Sequence, residues 1–162
     1  MNNRLGMQKM SKFKKCLVGF IILYACSRDI DGIRVPAQYA ETIGVDPILA
    51  PYVKSFYADA KRFNAELRPI TVPVFFVRSL EKDIIGKCYR FTPLNWIVIS
   101  RYFWDRTQPE SRQILIYHEL GHCVLGKGHE EYGIMQPVLL LADEYYHNKE
   151  GILREFFTGP LK

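Results

Sequence analysis

The sequence predicts a small α+β domain organised around one histidine-bearing helix. Its 162 residues, 48% of them hydrophobic, suffice for one core and are too few for two large ones. Apolar residues recur at helical spacing in three stretches, and short runs rich in β-branched residues lie between the first two. We expect a twisted, mostly antiparallel or mixed sheet with a backing helix, a helix carrying the candidate active site, and a C-terminal helix.

The first 25 residues are typical of an export signal. Five Lys or Arg residues and no Asp or Glu precede residue 26. The apolar run over residues 16–25 is about half the length needed to span a bilayer. Without this segment, 17 basic residues face 17 acidic ones, although the whole chain carries +5. A nucleic-acid partner is therefore not expected.

The signal ends in the sequence Leu-Tyr-Ala-Cys-Ser at residues 23–27. This resembles the lipobox of bacterial lipoproteins, which implies that Cys26 is lipidated and anchors the protein to a membrane. The expected location is the bacterial cell envelope, facing outside the cytoplasm. Ordinary cleavage with secretion and an uncleaved anchor remain alternatives. Residues 26–46, with scattered Gly and Pro, read as a tether, and residues 47–162 as the functional domain, expected to be a monomer.

Two cysteines remain if Cys16 leaves with the signal and Cys26 carries lipid. In an oxidising compartment, Cys88 and Cys123 are then expected to form one disulfide that fastens the histidine-bearing helix to an upstream strand. Two free buried thiols are the alternative.

The elements before the histidines follow from local pattern. Asp46 as N-cap and Pro47 as first residue predict a helix whose apolar stripe reaches Leu67. Strands are expected over residues 70–77, 84–91 and 95–100, the last two forming a hairpin.

Two further helices are predicted after the strands. One begins at Pro109, carries the histidines on its C-terminal half and runs up to Gly126. The other covers Pro137 to about Phe157, with an interruption near Asn148 or Gly151.

Residues 118–129 contain three of the four histidines in the chain. On a helix, His118 and His122 are four residues apart and therefore lie on one face, where both imidazoles can bind one metal ion. Glu119 points to the side of this pair, where its carboxylate can act as general base towards a water that the metal activates.

A catalytic zinc site needs three protein ligands and an open position for water. Gly126 and Gly128 flank Lys127 and permit a chain reversal directly after the helix, because glycine accepts the left-handed backbone. This reversal delivers His129, which we expect to be the third Zn²⁺ ligand.

The motif resembles that of the metzincin metallopeptidases, His-Glu-x-x-His-x-x-Gly-x-x-His followed by a turn containing Met. Here Gly126 and His129 each fall one residue later, and residues 133–137, Gly-Ile-Met-Gln-Pro, look like the Met-turn of the matrix metalloproteinases. The resemblance implies a single-domain zincin that hydrolyses peptide or protein substrates, with Met135 as the hydrophobic base of its zinc site. It further implies an extended substrate along an edge strand, for which we take residues 95–100, and an apolar pocket walled by residues 137–139.

Several alternatives stay open at this point. Glu144 could replace His129 as third ligand, as in gluzincins, or the histidines could pack in the core without metal. Tyr132 is a candidate aid to oxyanion binding. A different class of function is a zinc-stabilised envelope lipoprotein that acts as a binding module, in which Glu119 is incidental.

Overall fold

The computed structural model describes residues 29–30, 33–34, 44–67, 72–81, 83–91 and 94–159. The chain divides into two compact units, residues 1–37 and 38–162. In the first, two short antiparallel strands are described, β1 (Asp29–Ile30) and β2 (Ile33–Arg34). The predicted signal over residues 1–25 and the predicted lipidation site Cys26 lie outside the described residues. Within the described ranges, no helix is both long enough and apolar enough to span a membrane.

The second unit contains a three-stranded mixed sheet and a set of helices, which confirms the predicted α+β class. Strand order is β3-β5-β4, with β5 parallel to β3 and antiparallel to β4. In chain order the elements are α1 (Ala50–Arg62), β3 (Val74–Val77), β4 (Gly86–Phe91), β5 (Leu94–Ser100), α2 (Arg101–Trp104), α3 (Pro109–Cys123), a 3₁₀ turn (Gly133–Met135), α4 (Ala142–His147) and α5 (Lys149–Thr158).

The strand expected to form the substrate-binding edge is in fact the central strand. β5 pairs with β3 on one side and β4 on the other, and Ile97, Val98 and Ile99 are all fully buried. The expectation that residues 95–100 form an edge was therefore wrong. Strand order follows from long-range pairing, here a parallel β3–β5 pair, which periodicity does not reveal. In the sheet formed by the described residues, the edge strand beside α3 is β4.

Helix α1 is shorter at both ends than predicted. Asp46 caps a turn instead, since its Oδ1 accepts a hydrogen bond from the Ile48 N–H at 2.9 Å. The helix ends at Arg62 because Asn64 takes a left-handed conformation with φ 57°, and the Ala65 N–H donates back to the Ala60 carbonyl. This is a Schellman ending with Asn in place of Gly.

The C-terminal helix is split and starts later than predicted. Residues 137–141 are not helical, and α4 and α5 are separated by Asn148, so the predicted interruption there is confirmed. Its predicted start at Pro137 was wrong, because those residues instead follow the 3₁₀ turn past the histidines.

Helix α3 is the centre of the fold, as predicted. Every residue from Ile114 to Gly121 is buried. It contacts the sheet through β4 and β5, and helix α1 through edge-to-face packing of Phe56 on Tyr117. Polar side chains on α3 that face this core therefore have fixed positions, and these include His118 and Glu119.

Candidate metal centre

Three histidines converge at the C-terminal end of α3. One side-chain nitrogen from each of His118, His122 and His129 lies within 4.8 Å of the others. The ring centroids are 4.7 Å apart for His118 and His122, 5.3 Å for His118 and His129, and 4.9 Å for His122 and His129. His118 is buried and His129 is exposed, so the group opens to solvent on one side.

Backbone carbonyls fix the orientation of the two helical histidines. Nδ1 of His118 lies 2.7 Å from the Ile134 carbonyl oxygen, and Nδ1 of His122 lies 2.7 Å from that of Lys127. A carbonyl only accepts, so each Nδ1 carries the proton and donates. Each Nε2 is then left with a lone pair when the ring is neutral, which is the arrangement of a histidine that binds a metal.

Both helical histidines favour the neutral form. Burial lowers the pKa of His118 to about 4, assisted by the neighbouring His122 and His129 and opposed by the bond to Ile134. Burial also lowers the pKa of His122. The two Nε2 atoms nevertheless face each other at 3.1 Å. Two lone pairs at this distance repel, and a proton or a metal ion shared between them would relieve the repulsion.

The geometry of this pair fits zinc. Two nitrogens bound tetrahedrally at 2.0–2.1 Å from Zn²⁺ are about 3.3 Å apart, close to the 3.1 Å observed. Neutral imidazoles are ordinary ligands of zinc and of several other divalent metals. The donor set therefore suits a metal ion without singling out its identity.

The loop that delivers His129 is held at both of its ends. It reverses at Gly126, whose φ of 66° matches the predicted left-handed turn, and the Lys127 N–H donates to the Gly121 carbonyl at 3.0 Å. Beyond His129, the Glu130 N–H donates to the Met135 carbonyl at 2.9 Å, which ties the loop to the 3₁₀ turn. The loop thus brings His129 to the two helical histidines.

The alternative ligands lie elsewhere. Glu144 is an exposed residue of α4 and does not belong to the histidine group. His147 is also exposed and bonds to the Asp143 carbonyl of its own helix. Among the described residues, the three histidines form the only group of His, Cys, Asp or Glu placed to hold a metal ion.

Glu119 lies in the cleft beside the histidines but is not one of the grouped ligands. It is 4% exposed. Burial raises its pKa to about 8, and the backbone N–H of Cys88 opposes this by donating a hydrogen bond to the carboxylate. A cation between the histidines would also favour the ionised form.

Strand β4 packs closely against Glu119. A Cβ on Gly86 would lie 2.8 Å from Glu119 Oε1 and 2.9 Å from Leu115 Cδ1, so a larger residue here would displace these two side chains. Two residues further along the strand, Cys88 forms a disulfide with Cys123 at the end of α3, with a Cα–Cα distance of 5.7 Å. The predicted disulfide is confirmed, and it is typical of proteins from oxidising compartments.

Met135 packs beneath helix α3 against Gly121, which lies between His118 and His122 in the sequence. It is fully buried, and a Cβ on Gly121 would come within 2.5 Å of its Sδ. Its neighbour Ile134 supplies the carbonyl that orients His118. The 3₁₀ turn therefore supports the histidine group through one apolar side chain and one carbonyl.

An open cleft of about 430 Å³ runs along β4 over this site. Pro137 and Leu139 line it, as expected of the apolar wall, whereas Val138 is 75% exposed and does not. Tyr132 is 70% exposed and also lies outside the lining. The lining residues are Asp83, Ile84, Ile85, Gly86, Lys87, Cys88, Arg90, Leu115, His118, Glu119, His122, His129, Gln136, Pro137 and Leu139.

No protein-family model, curated protein or solved structure matches this chain. The geometry of the site therefore carries the functional argument. A triad of histidines able to hold a metal, in an α+β domain of this size, is compatible with a zincin.

Several supporting residues escaped the sequence analysis. Lys127 is 2% exposed, and its ammonium lies 3.7 Å from Glu130. Asn95 donates from Nδ2 to the Cys123 carbonyl at 3.1 Å, which satisfies the end of α3. Gly86 had a visible signal, a glycine inside a predicted strand, which often marks a close approach of another element. Asn95 acts through a contact distant in sequence and had none. The burial of Lys127 had none either, since a lysine in a glycine turn is ordinarily exposed.

Proposed function

We propose that the protein is a zinc-dependent endopeptidase of the metzincin type. Zinc would be held by His118, His122 and His129, with Glu119 as general base. The observation that carries the proposal is a three-histidine group without a fourth protein ligand among the described residues, at an open cleft that also contains a buried carboxylate. Structural zinc sites usually have four protein ligands, whereas catalytic sites leave one position open.

Zinc at this position would supply an activated water and a polarised scissile carbonyl. Glu119 accepts the proton of the attacking water and passes it to the departing amine. Burial raises the pKa of Glu119 in the metal-free protein, and a bound cation would lower it again and favour the ionised form that accepts a proton. The hydrogen bond from the Cys88 N–H keeps the carboxylate oriented during both transfers.

The substrate is proposed to bind as an additional strand on β4. Among the described strands β4 is an edge strand that lines the cleft, and extended peptides commonly add to such strands through backbone hydrogen bonds. An apolar substrate side chain would contact Leu115, Pro137 and Leu139. The assignment to metzincins is supported by the reversal at Gly126 and by Met135 beneath the helix.

Export to the bacterial cell envelope, with a lipid on Cys26, is part of the proposal. The Cys88–Cys123 disulfide supports an oxidising location. Metabolic labelling with a radioactive fatty acid tests the anchor. Label should appear in the parent and be absent from Cys26→Ser, whereas an unlabelled parent would contradict lipidation.

The peptidase proposal is tested with the full chain by metal analysis and by cleavage of a denatured protein. The parent should contain one zinc per chain and cleave, and Glu119→Gln should keep zinc and lose activity by at least a hundredfold. His147→Ala is the matched control, because this histidine is exposed and outside the group, and it should keep both. A zinc-loaded parent that cleaves nothing would favour a zinc-stabilised binding protein instead.

A further inference from the structure

Charged residues line the cleft along β4, with Lys87 between Asp83 and Arg90. Asp83 lies before β4 and Arg90 near its end, and both line the cleft. Arg90 is exposed, and within the described residues its guanidinium has no carboxylate partner. On the described helices, by contrast, Arg62 and Arg154 each form an ion pair with Glu150, and Arg101 forms one with Asp105. Arg90 is therefore available to a ligand in the cleft.

Strand alternation places the Arg90 side chain on the site face of β4. A Cβ at Gly86 would point at Glu119, and Cys88 is bonded to Cys123. Residues two apart on a strand share a face, so Arg90 projects to the same side. Helix α3 ends at Cys123, so Arg90 extends past the helix into the part of the cleft beside His122 and His129.

The hydrogen bond between Cys88 and Glu119 gives the position of Arg90 relative to the scissile bond. The Cys88 N–H bonds to Glu119, so the reacting carbonyl would lie opposite this part of β4. Arg90 is two residues further on, roughly 7 Å along the strand. A peptide paired antiparallel to β4 runs from the Arg90 end towards Gly86. The residues beside Arg90 therefore precede the scissile bond.

We propose that Arg90 selects substrates with Asp or Glu at the second or third residue before the scissile bond, a proposal that rests on the peptidase function. A guanidinium binds a carboxylate through two parallel hydrogen bonds, which a neutral amide cannot reproduce.

The first test measures binding without cleavage. A randomised peptide library is selected on the zinc-loaded Glu119→Gln protein, and single peptides with Glu, Gln or Lys at the enriched position are then titrated. The Glu peptide should bind about tenfold more tightly than the Gln peptide, as expected for a charge-assisted hydrogen bond. Adding Arg90→Gln should abolish this difference, and adding Arg90→Glu should transfer the preference to Lys.

Arg78→Gln is the matched control, because Arg78 is an exposed arginine that does not line the cleft. In the same background it should leave the preference unchanged. Equal binding of Glu and Gln peptides, or a preference that survives Arg90→Gln, would overturn the proposal.

The second test maps cleavage by the parent on a peptide mixture by mass spectrometry. Acidic residues should be enriched before the cut, and Arg90→Gln should lower kcat/KM for acidic substrates about tenfold while sparing the matched neutral ones. Enrichment after the cut would overturn the proposed direction. A parent that cleaves nothing, but whose Glu119→Gln form shows the Arg90-dependent preference, would refute the peptidase function and support carboxylate recognition by Arg90.

Discussion

Removing the Cys88–Cys123 disulfide should lower the free energy of unfolding by about 4 kcal/mol. The two cysteines are 35 residues apart in sequence. For a closed loop of this length, the chain-entropy relation gives a loss of about 13 cal/mol/K in the unfolded state, or about 4 kcal/mol at 25 °C. The packing of β4 on α3 at Gly86 and Leu115 does not depend on the bond, so we expect the folded state of the variant to change little.

Urea unfolding of the oxidised parent and of a Cys88→Ala, Cys123→Ala double variant measures this loss, with tryptophan fluorescence as the signal. A chelator in both samples removes the contribution of bound metal. Alanine is preferred to serine because Cys123 is only 6% exposed, and a buried hydroxyl would add its own cost. A loss below about 1 kcal/mol would refute the argument that the bond restricts the unfolded chain.

The disulfide should also matter for the site. Cys88 supplies the N–H that bonds to Glu119, and Cys123 directly follows His122. Freed from the helix, β4 is expected to hold Glu119 less firmly, so the double variant should lose activity while keeping most of its zinc. Unchanged activity in the double variant would show that packing alone positions β4.

Three other changes are predicted from single contacts. Gly86→Ala should lower activity and destabilise the protein by about 1–3 kcal/mol, since its Cβ meets Glu119 Oε1; a stable, active variant would contradict this packing. Asn95→Ala should cost about 1 kcal/mol in urea unfolding by freeing the Cys123 carbonyl, and no change would mean that water replaces the amide. In metal-free protein, the raised pKa of Glu119 stabilises the fold below pH 4.5, and this contribution is lost as the pH rises through about 8. Glu119→Gln should therefore gain roughly 3 kcal/mol relative to the parent between pH 5 and pH 8, and a constant difference would contradict the raised pKa.

The local parts of the fold could be predicted from the sequence. Helix α3 begins at Pro109 as expected, since proline fixes the first turn, and the β4–β5 hairpin has the predicted order. The central position of β5 could not be predicted from the sequence, because it depends on a parallel partner strand distant in sequence. The early end of α1 was missed because Asn64 adopts a left-handed conformation that is usual for glycine.

The site likewise contains some features that the local sequence predicts and others that it does not. His118 and His122 share a helix face because of their spacing alone, and Gly126 signalled the reversal that brings His129 to them. The carbonyls of Ile134 and Lys127, which orient the two helical rings, carry no sequence signal because any residue supplies a carbonyl. The position of Arg90 in the cleft lining could not be predicted either, because it depends on the strand order.

In the proposed site, three histidines hold one zinc ion while Glu119 stays free to act as base. A crystal of the zinc-loaded protein, with an anomalous difference map recorded at the zinc absorption edge, tests it most directly. One peak is expected at about 2.0–2.1 Å from Nε2 of His118, from Nε2 of His122 and from a ring nitrogen of His129, with Glu119 beyond bonding distance. A peak bonded to Glu119 or Glu144, or one without His129, would contradict it.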